Sequence, residues 1–265
     1  MSKIKGARER ARIEVTAAIK DEARRQLAAD GAAKLSLRAV ARELGMVSSA
    51  LYRYFPSRDE LLTALIVDAY DSVGETAEAA RDAARAAPRR AAGRPAGARS
   101  GAGAPGPDSP GRHREQWTAV ACAVREWALA HPHEYALIYG SPVPGYSAPQ
   151  DTIGPASRVG LVLIDLLQDA YRTHGLAVLP LAEELRADAA RMSADLAPDL
   201  PPAAVAGLVA AWAQLFGLIS FEVFGQFNRV VEAREPLFRQ AAGELARTVG
   251  LTDVRSASSA RPHRD

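Results

Sequence analysis

The chain has 265 residues, 48% hydrophobic, 24% charged and 6% aromatic, enough to bury one large or two small cores. A single cysteine, Cys122, rules out an intrachain disulfide and a cysteine-based metal centre and fits a reducing, cytoplasmic compartment. The net charge of +2 is unevenly spread: residues 1–60 carry 13 Lys/Arg against 8 Asp/Glu, residues 61–80 none against 4, residues 81–114 8 against 2, and residues 115–265 12 against 17. A basic front and an acidic rear suit an N-terminus that faces nucleic acid. The first residues are charged and lack the apolar run of a signal peptide.

In chain order, Ala11, Val15, Ile19, Ala23 and Leu27 recur every four residues and predict a first helix over about 7–30, stopped by Gly31. Ser36 is placed to cap a second, short helix containing Leu37, Val40, Ala41 and Leu44, with Gly45 at its end. Ser48 is placed to cap a third, which carries Leu51, Tyr52, Tyr54 and Phe55 and stops at Pro56. Ser57 and Glu60 have capping-box spacing for a fourth helix, holding Leu61, Leu62, Leu65, Ile66 and Ala69 and reaching about 80–85.

Residues 86–112, "AAPRRAAGRPAGARSGAGAPGPDSPGR", offer almost nothing to bury and read as a disordered insertion. Its arginines suit either nonspecific phosphate contact or an inert linker. Helices are expected again from Glu115 to about Ala130, where His131-Pro132 interrupts, then at 134–139, 153–173, 181–196, 202–230 and 235–249, with a disordered tail at 251–265. Ala203–Phe221 is a run of 19 residues without a charge. Its Ala and Gly content, Gln214, Ser220 and the following Glu222 favour a helix buried between protein layers over a membrane span. The fold class is all-α, with no strand and no repeat.

The segment with chemical content is Leu35–Leu62, "LSLRAVARELGMVSSALYRYFPSRDELL". Two short helices about a turn apart, with Val40, Ala41 and Leu44 facing Val47 and Leu51 across a glycine bend, make a helix-turn-helix whose second helix can enter a major groove. Ser48, Ser49, Tyr52 and Arg53 on its outer face supply hydroxyls and a guanidinium for phosphates and base edges. No nucleophile elbow, phosphate loop or dinucleotide fingerprint is present, so no enzyme is expected and no cofactor. His131, His133 and Glu134 lack a fourth ligand for a metal, and none is expected.

The succession Gly31, Leu35-Ser36-Leu37, Ala41-Arg42-Glu43-Leu44-Gly45, Val47-Ser48, Leu51-Tyr52-Arg53-Tyr54-Phe55 and Pro56-Ser57-Arg58-Asp59-Glu60-Leu61 resembles the DNA-binding domain of the TetR family of bacterial repressors. The resemblance implies that Tyr52 and Arg58 hold backbone phosphates, Arg58 standing where the family often has lysine. It puts Ser36 and Arg38 near the backbone and turns Ser48, Ser49 and Arg53 toward the groove. It makes Val40, Leu44, Leu51 and Phe55 core. Tyr54 reads equally as core or phosphate contact, and Ser48 equally as a cap or a groove contact. "HPHEYALIYGSPVPGY" and "W..LFGLISFEVFGQF" resemble a C-terminal domain of some actinobacterial members.

The implied organisation is a helix-turn-helix domain over residues 1–57, then a helical ligand-binding and dimerisation domain over 58–250. The helices at about 202–230 and 235–249 would pair with those of a second copy. Trp117, Trp127, Tyr135, Tyr139, Trp212, Phe216 and Phe221 are candidates to line a small-molecule pocket; Gln214 and Glu222 either orient the ligand or pair at the dimer seam. The function this implies is a repressor that a small molecule releases from a palindromic duplex operator. The competing reading is a helical adaptor or assembly protein with a vestigial motif. Such a module should have lost Tyr52, Arg53 and Arg58, and this chain keeps all three.

Overall fold

The computed structural model describes residues 2–87 and 110–252. Among them every regular element is helical: α1 (Ser2–Asp30), α2 (Leu37–Glu43), α3 (Ser48–Leu51), α4 (Arg58–Ala86), α5 (Pro110–Ala130), α6 (Pro132–Tyr139), α7 (Ile153–His174), α8 (Arg186–Leu196), α9 (Pro202–Val223) and α10 (Arg234–Thr248), with short 3-10 turns before α2, α7 and α8. Residues 88–109 of the expected insertion and 253–265 of the expected tail lie outside the described residues. At the edges of those stretches the expectation is corrected. Helix α5 already starts at Pro110, and Leu251 is fully buried.

The described chain forms two compact units, drawn from Met1–Val73 with Ala128–Ser157 and from Gly74–Trp127 with Arg158–Asp265. The boundary expected at residue 57 falls inside the first unit. Each crossing between units, at 73/74, 127/128 and 157/158, lies within a helix: α4, α5 and α7.

In the first unit, Ile19, Ala23 and Leu27 of α1 meet Leu37, Val40 and Ala41 of α2, Leu51 of α3, Phe55, and Leu61, Leu62 and Leu65 of α4 in one buried cluster. The apolar stripe foreseen from Ala11 is effective only from Val15 onward, because residues 6–14 are exposed. Ser36 caps α2 by accepting from Ala39 N at 3.4 Å, and Ser57 caps α4 by accepting from Glu60 N at 3.1 Å. Gly45 turns the chain between α2 and α3 at φ +64°, a left-handed value that any Cβ would disfavour. Helix α3 is a single turn continued by tighter bonds (Tyr54 N to Leu51 O, 2.8 Å), shorter than the helix expected to reach Pro56. Its cap position is Val47, not Ser48, and no side chain caps it.

The segment after α5 joins this same core: Leu137, Val143 and Tyr146 pack against the cluster. Lys20 and Arg24 of α1 hold Asp68 of α4 at 2.8 and 2.7 Å, and Arg24 also reaches Glu134 of α6 at 3.2 Å.

In the second unit, α7 buries Val159, Val162, Leu163, Leu166, Leu167 and Ala170 along one stripe. Trp117, Val120, Val124 and Trp127 of α5, Leu208, Leu215 and Ile219 of α9, and Phe238 and Leu245 of α10 are likewise buried. Gly74 of α4 leaves room for Arg158 of α7: a methyl group there would meet Arg158 Cβ and Nε at 2.7 Å. The guanidinium then forks onto Glu78 at 2.8 and 2.9 Å. Helix α9 ends at Val223, not near 230; residues 224–230 form successive turns, beginning with Phe224 N to Ser220 O.

Candidate nucleic-acid interface

The expected DNA-contacting residues sit on α2, α3 and the turns beside them. Arg38, Ser48, Ser49, Tyr52 and Arg53 are exposed, while Ser36 and Tyr54 are half-buried. Among the described residues the side chains of Arg38 and Arg53 have no ion-pair or hydrogen-bond partner. Tyr54 leans on the apolar cluster, which favours the core half of its two readings.

Arg58 is used differently from its neighbours. Its guanidinium donates to the carbonyls of Leu35 (3.2 Å), Ala32 (2.9 Å) and Ala33 (3.3 Å), with Nη1 beside Asp59 at 3.4 Å. It therefore clamps the turn that leads into α2, and only its Nη1 edge remains for a phosphate. The sequence reading missed this role, because a side chain reaching back more than twenty residues leaves no local pattern.

Val47 corrects the reading in another way. It was assigned to the contact between the two helices, yet it is 71% exposed at the start of α3. An apolar side chain beside Ser48 and Ser49 suits contact with a thymine methyl group. Met46 packs on the cluster in its stead, and Leu44 packs there as expected.

The seven aromatic pocket candidates divide between the two units. Tyr135 and Tyr139 belong to the first unit, where Tyr139 meets Tyr70 edge-on with centroids 6.0 Å apart. Burial pushes the Tyr139 hydroxyl well above the usual tyrosine range. Trp117, Trp127, Trp212, Phe216 and Phe221 belong to the second unit. There Trp117 and Trp127 are core, Trp212 stacks edge-on with Phe216 at 5.8 Å, and Phe221 is 53% exposed. Buried Trp117 Nε1 and Gln116 Oε1 have no hydrogen-bond partner.

A cleft of about 580 Å³ opens in the first unit between α4, the end of α6 and the start of α7. Ile66, Tyr70, Leu137, Ile138, Val143, Tyr146 and Ile153 line most of it, and no charged side chain does. Tyr70 donates to Ile138 O at 3.3 Å, and Tyr146 shares a 2.9 Å hydrogen bond with Thr63 of α4. Burial, with Tyr146 nearby, raises the Tyr70 hydroxyl above its ordinary range.

Glu222 finds its partner within its own chain. It is buried and takes a two-pronged contact from Arg125 of α5 at 2.6 and 2.7 Å, with the Arg125 guanidinium 5.7 Å from the Phe238 ring. Gln214 bonds back to Ala210 O on its own helix. Cys122 is buried and its thiol is pushed up by burial, which makes it unreactive. Among the described residues no group of three His, Cys, Asp or Glu could hold a metal ion.

A tri-helical motif with unpaired cations and hydroxyls at its tip, carried on an all-helical body, defines a helix-turn-helix regulator of transcription. Residues 19–65 match the family described as bacterial regulatory proteins of the tetR family, and residues 117–245 match the tetracyclin repressor-like C-terminal domain. The HTH-type transcriptional regulator Rv1816 of Mycobacterium tuberculosis is 38% identical over 230 residues, covering 84% of this chain and 86% of its own, and the regulator Mb1846 of Mycobacterium bovis matches to the same extent. The crystal structure of putative regulatory protein SCO4313 superposes with a TM-score of 0.66 at 34% identity, over 89% of this chain and 97% of that one. A protein of unknown function from Rhodococcus sp. RHA1, at 20% identity and a TM-score of 0.58 over 88% of this chain and 93% of its own, shares the fold. The chain belongs to the TetR family of transcriptional regulators and is not an enzyme.

Proposed function

We propose that the protein is a cytoplasmic, homodimeric repressor that binds a palindromic operator and is released by a small uncharged molecule. The observation that carries the DNA-reading surface is the unpaired pair Arg38 and Arg53 beside exposed Ser48, Ser49 and Tyr52. Cations without an acidic partner are stabilised by a polyanion, and Arg53 with the serines reaches base edges while Arg38, Tyr52 and the free edge of Arg58 hold phosphates.

Dimerisation is supported by α9. Among the described residues it is the one helix long and apolar enough to cross a membrane, with a mean hydropathy of 1.8. Its buried face serves the second unit, and its opposite face exposes Phe221 and, just beyond the helix, Phe224. A second copy covering that face by two-fold symmetry removes this apolar surface from water. Phe221→Glu should shift the protein to monomer in sedimentation velocity and abolish cooperative operator binding.

The effector reading is supported by the cleft of the first unit. Its lining offers apolar surface and hydroxyls but no counter-charge, so an ionised ligand would lose its hydration uncompensated. Pressure on Tyr70, or on Tyr146 bonded to Thr63, acts on the helix whose first residue clamps the turn before α2.

Selection of bound duplexes from a random pool, followed by gel shifts across a salt series, tests the whole reading. A symmetric preferred sequence, with affinity falling steeply as salt rises, is expected. Equal binding to all duplexes would overturn it.

A further inference from the structure

His113 of α5 and His174 at the end of α7 lie in the second unit with their rings at 67° and centroids 5.0 Å apart. His174 Nδ1 faces the carbonyl of Gly175 at 2.8 Å, His174 Nε2 faces His113 Nδ1 at 3.2 Å, and His113 Nε2 faces Asp169 Oδ2 at 3.2 Å. His113 is 3% exposed. Neither the DNA-reading surface nor the cleft uses any of these groups.

The contacts can be counted in protons. A carbonyl oxygen only accepts, so His174 Nδ1 must carry a hydrogen. A carboxylate only accepts, so His113 Nε2 must carry one too. In their neutral forms both rings have then used their single N–H, and two bare lone pairs face each other at 3.2 Å. The middle contact needs a third proton.

The charges around the cluster favour placing it there. Arg85 of α4 lies 3.8 Å from Asp169 and 3.0 Å from Asp165, and Arg81 lies 3.3 Å from Asp165. Arg112 of α5 donates to the Arg85 carbonyl at 2.6 Å. On α7, Arg172 is turned to Asp199 at 3.7 Å. Leu176, Ala177 and Val178, with Gly250 against them, bring no charge.

We propose that Asp169, His113 and His174 form a proton-binding site of the folded protein, holding one proton more than a carboxylate and two neutral imidazoles, so that the second unit is tightened by acid and loosened as pH rises. Only two imidazole nitrogens face the shared position, too few for a structural metal site, which points to a proton as the occupant. The site ties α5 to α7 beside the last turn of α4. Its charge state therefore bears on the end of α4 at Arg85.

The sign follows from linkage. A folded state that binds more protons than the unfolded chain loses stability as pH rises, by up to a tenfold change in the unfolding equilibrium per pH unit per proton. The folded site binds the more protons only where the two histidines of the unfolded chain are mostly neutral, above about pH 7, so the test is urea unfolding of the full chain from pH 7 to pH 9 in EDTA, for the wild type and two variants. In Asp169→Asn the carboxamide N–H₂ donates to His113 Nε2, so all three contacts are made with two ring protons. His174→Leu deletes the middle contact. Both variants should lose the wild-type pH slope, whereas a purely structural cluster would lower stability equally at every pH. A slope unchanged in the variants overturns the proposal. So does a wild type whose stability at pH 8.5 rises saturably with equimolar Zn²⁺, which would make the occupant a metal. Long-range ¹H–¹⁵N spectra of the wild type give a second reading that needs no variant. An imidazolium pattern for one of the two rings at pH 7.5, where a free histidine is mostly neutral, supports the site; two neutral patterns there overturn it.

Discussion

In the second unit Arg125 lies on Glu222, Arg158 on Glu78, Arg81 and Arg85 on Asp165, Arg239 on Glu235 and Arg247 on Glu244. At the helix-turn-helix, Arg38 and Arg53 have no acid to lie on, and Arg58 is held by main-chain carbonyls. The DNA-reading tip and the second unit thus use one residue type for opposite ends. Where arginine has a carboxylate the pair is part of the structure; where it has none, the charge is left to an outside polyanion. The overall charge of +2 hides this division, and the local pairing shows it.

That contrast can be broken most forcefully at Arg125 and Glu222. Removing one partner leaves the other buried and uncompensated, so Glu222→Ala should cost about 3–5 kcal/mol in urea unfolding. The double replacement Arg125→Met with Glu222→Leu should recover much of that loss. If the single variant unfolds like the wild type, the pair is not the structural element described here.

At the DNA-reading end the same kind of change should leave the fold intact. Arg53→Ala should weaken the preferred operator by about 1–3 kcal/mol and blur its sequence preference. Arg38→Ala should weaken all duplexes alike and lower the slope of log affinity against log salt by about 1. Equal effects of the two on specific and nonspecific duplexes would erase the distinction between base and phosphate contacts.

The smallest effect lies at a half-exposed pair. The Arg158 guanidinium beside Glu78 holds that carboxyl below the usual range. The folded state therefore releases this proton more readily than the unfolded chain. The stabilisation is complete above the unfolded chain's titration and is lost as pH falls through the folded one. Glu78→Gln should cost about 0.5 kcal/mol at pH 7, and the deficit should vanish in acid. A deficit that persists at low pH would mean that packing, not charge, holds the contact.

Much of the first unit is legible in the chain because its signals are local. The caps at Ser36 and Ser57, the turn at Gly45 and the stripe from Ile19 to Leu27 each lie within a few residues of what they govern. The misreadings are non-local. Glu222 meets Arg125 across 97 positions, and no pattern in either helix announces it. Val143 and Tyr146 come from a proline-rich loop without periodicity and Leu137 from the short helix before it, yet they pack on the helix-turn-helix core. Helix α9 reads as longer than it is because apolar residues continue past Val223 while the backbone turns. Val47 reads as packing because it is apolar, yet it is exposed and Met46 packs on the cluster.

The glycine at position 74 has a consequence for anyone seeking a hardier version of this protein. Exchanging a helical glycine for alanine is a routine stabilising change, worth up to about 1 kcal/mol. At Gly160 of α7, where an added methyl group meets nothing within 4 Å, that gain should be realised in a thermal melt. At Gly74 the same change should lower the melting temperature, because the methyl group would occupy the space through which Arg158 crosses α4. The same substitution on neighbouring helices should therefore have opposite signs, and the bare backbone at position 74 acts as a keyway cut for one particular side chain.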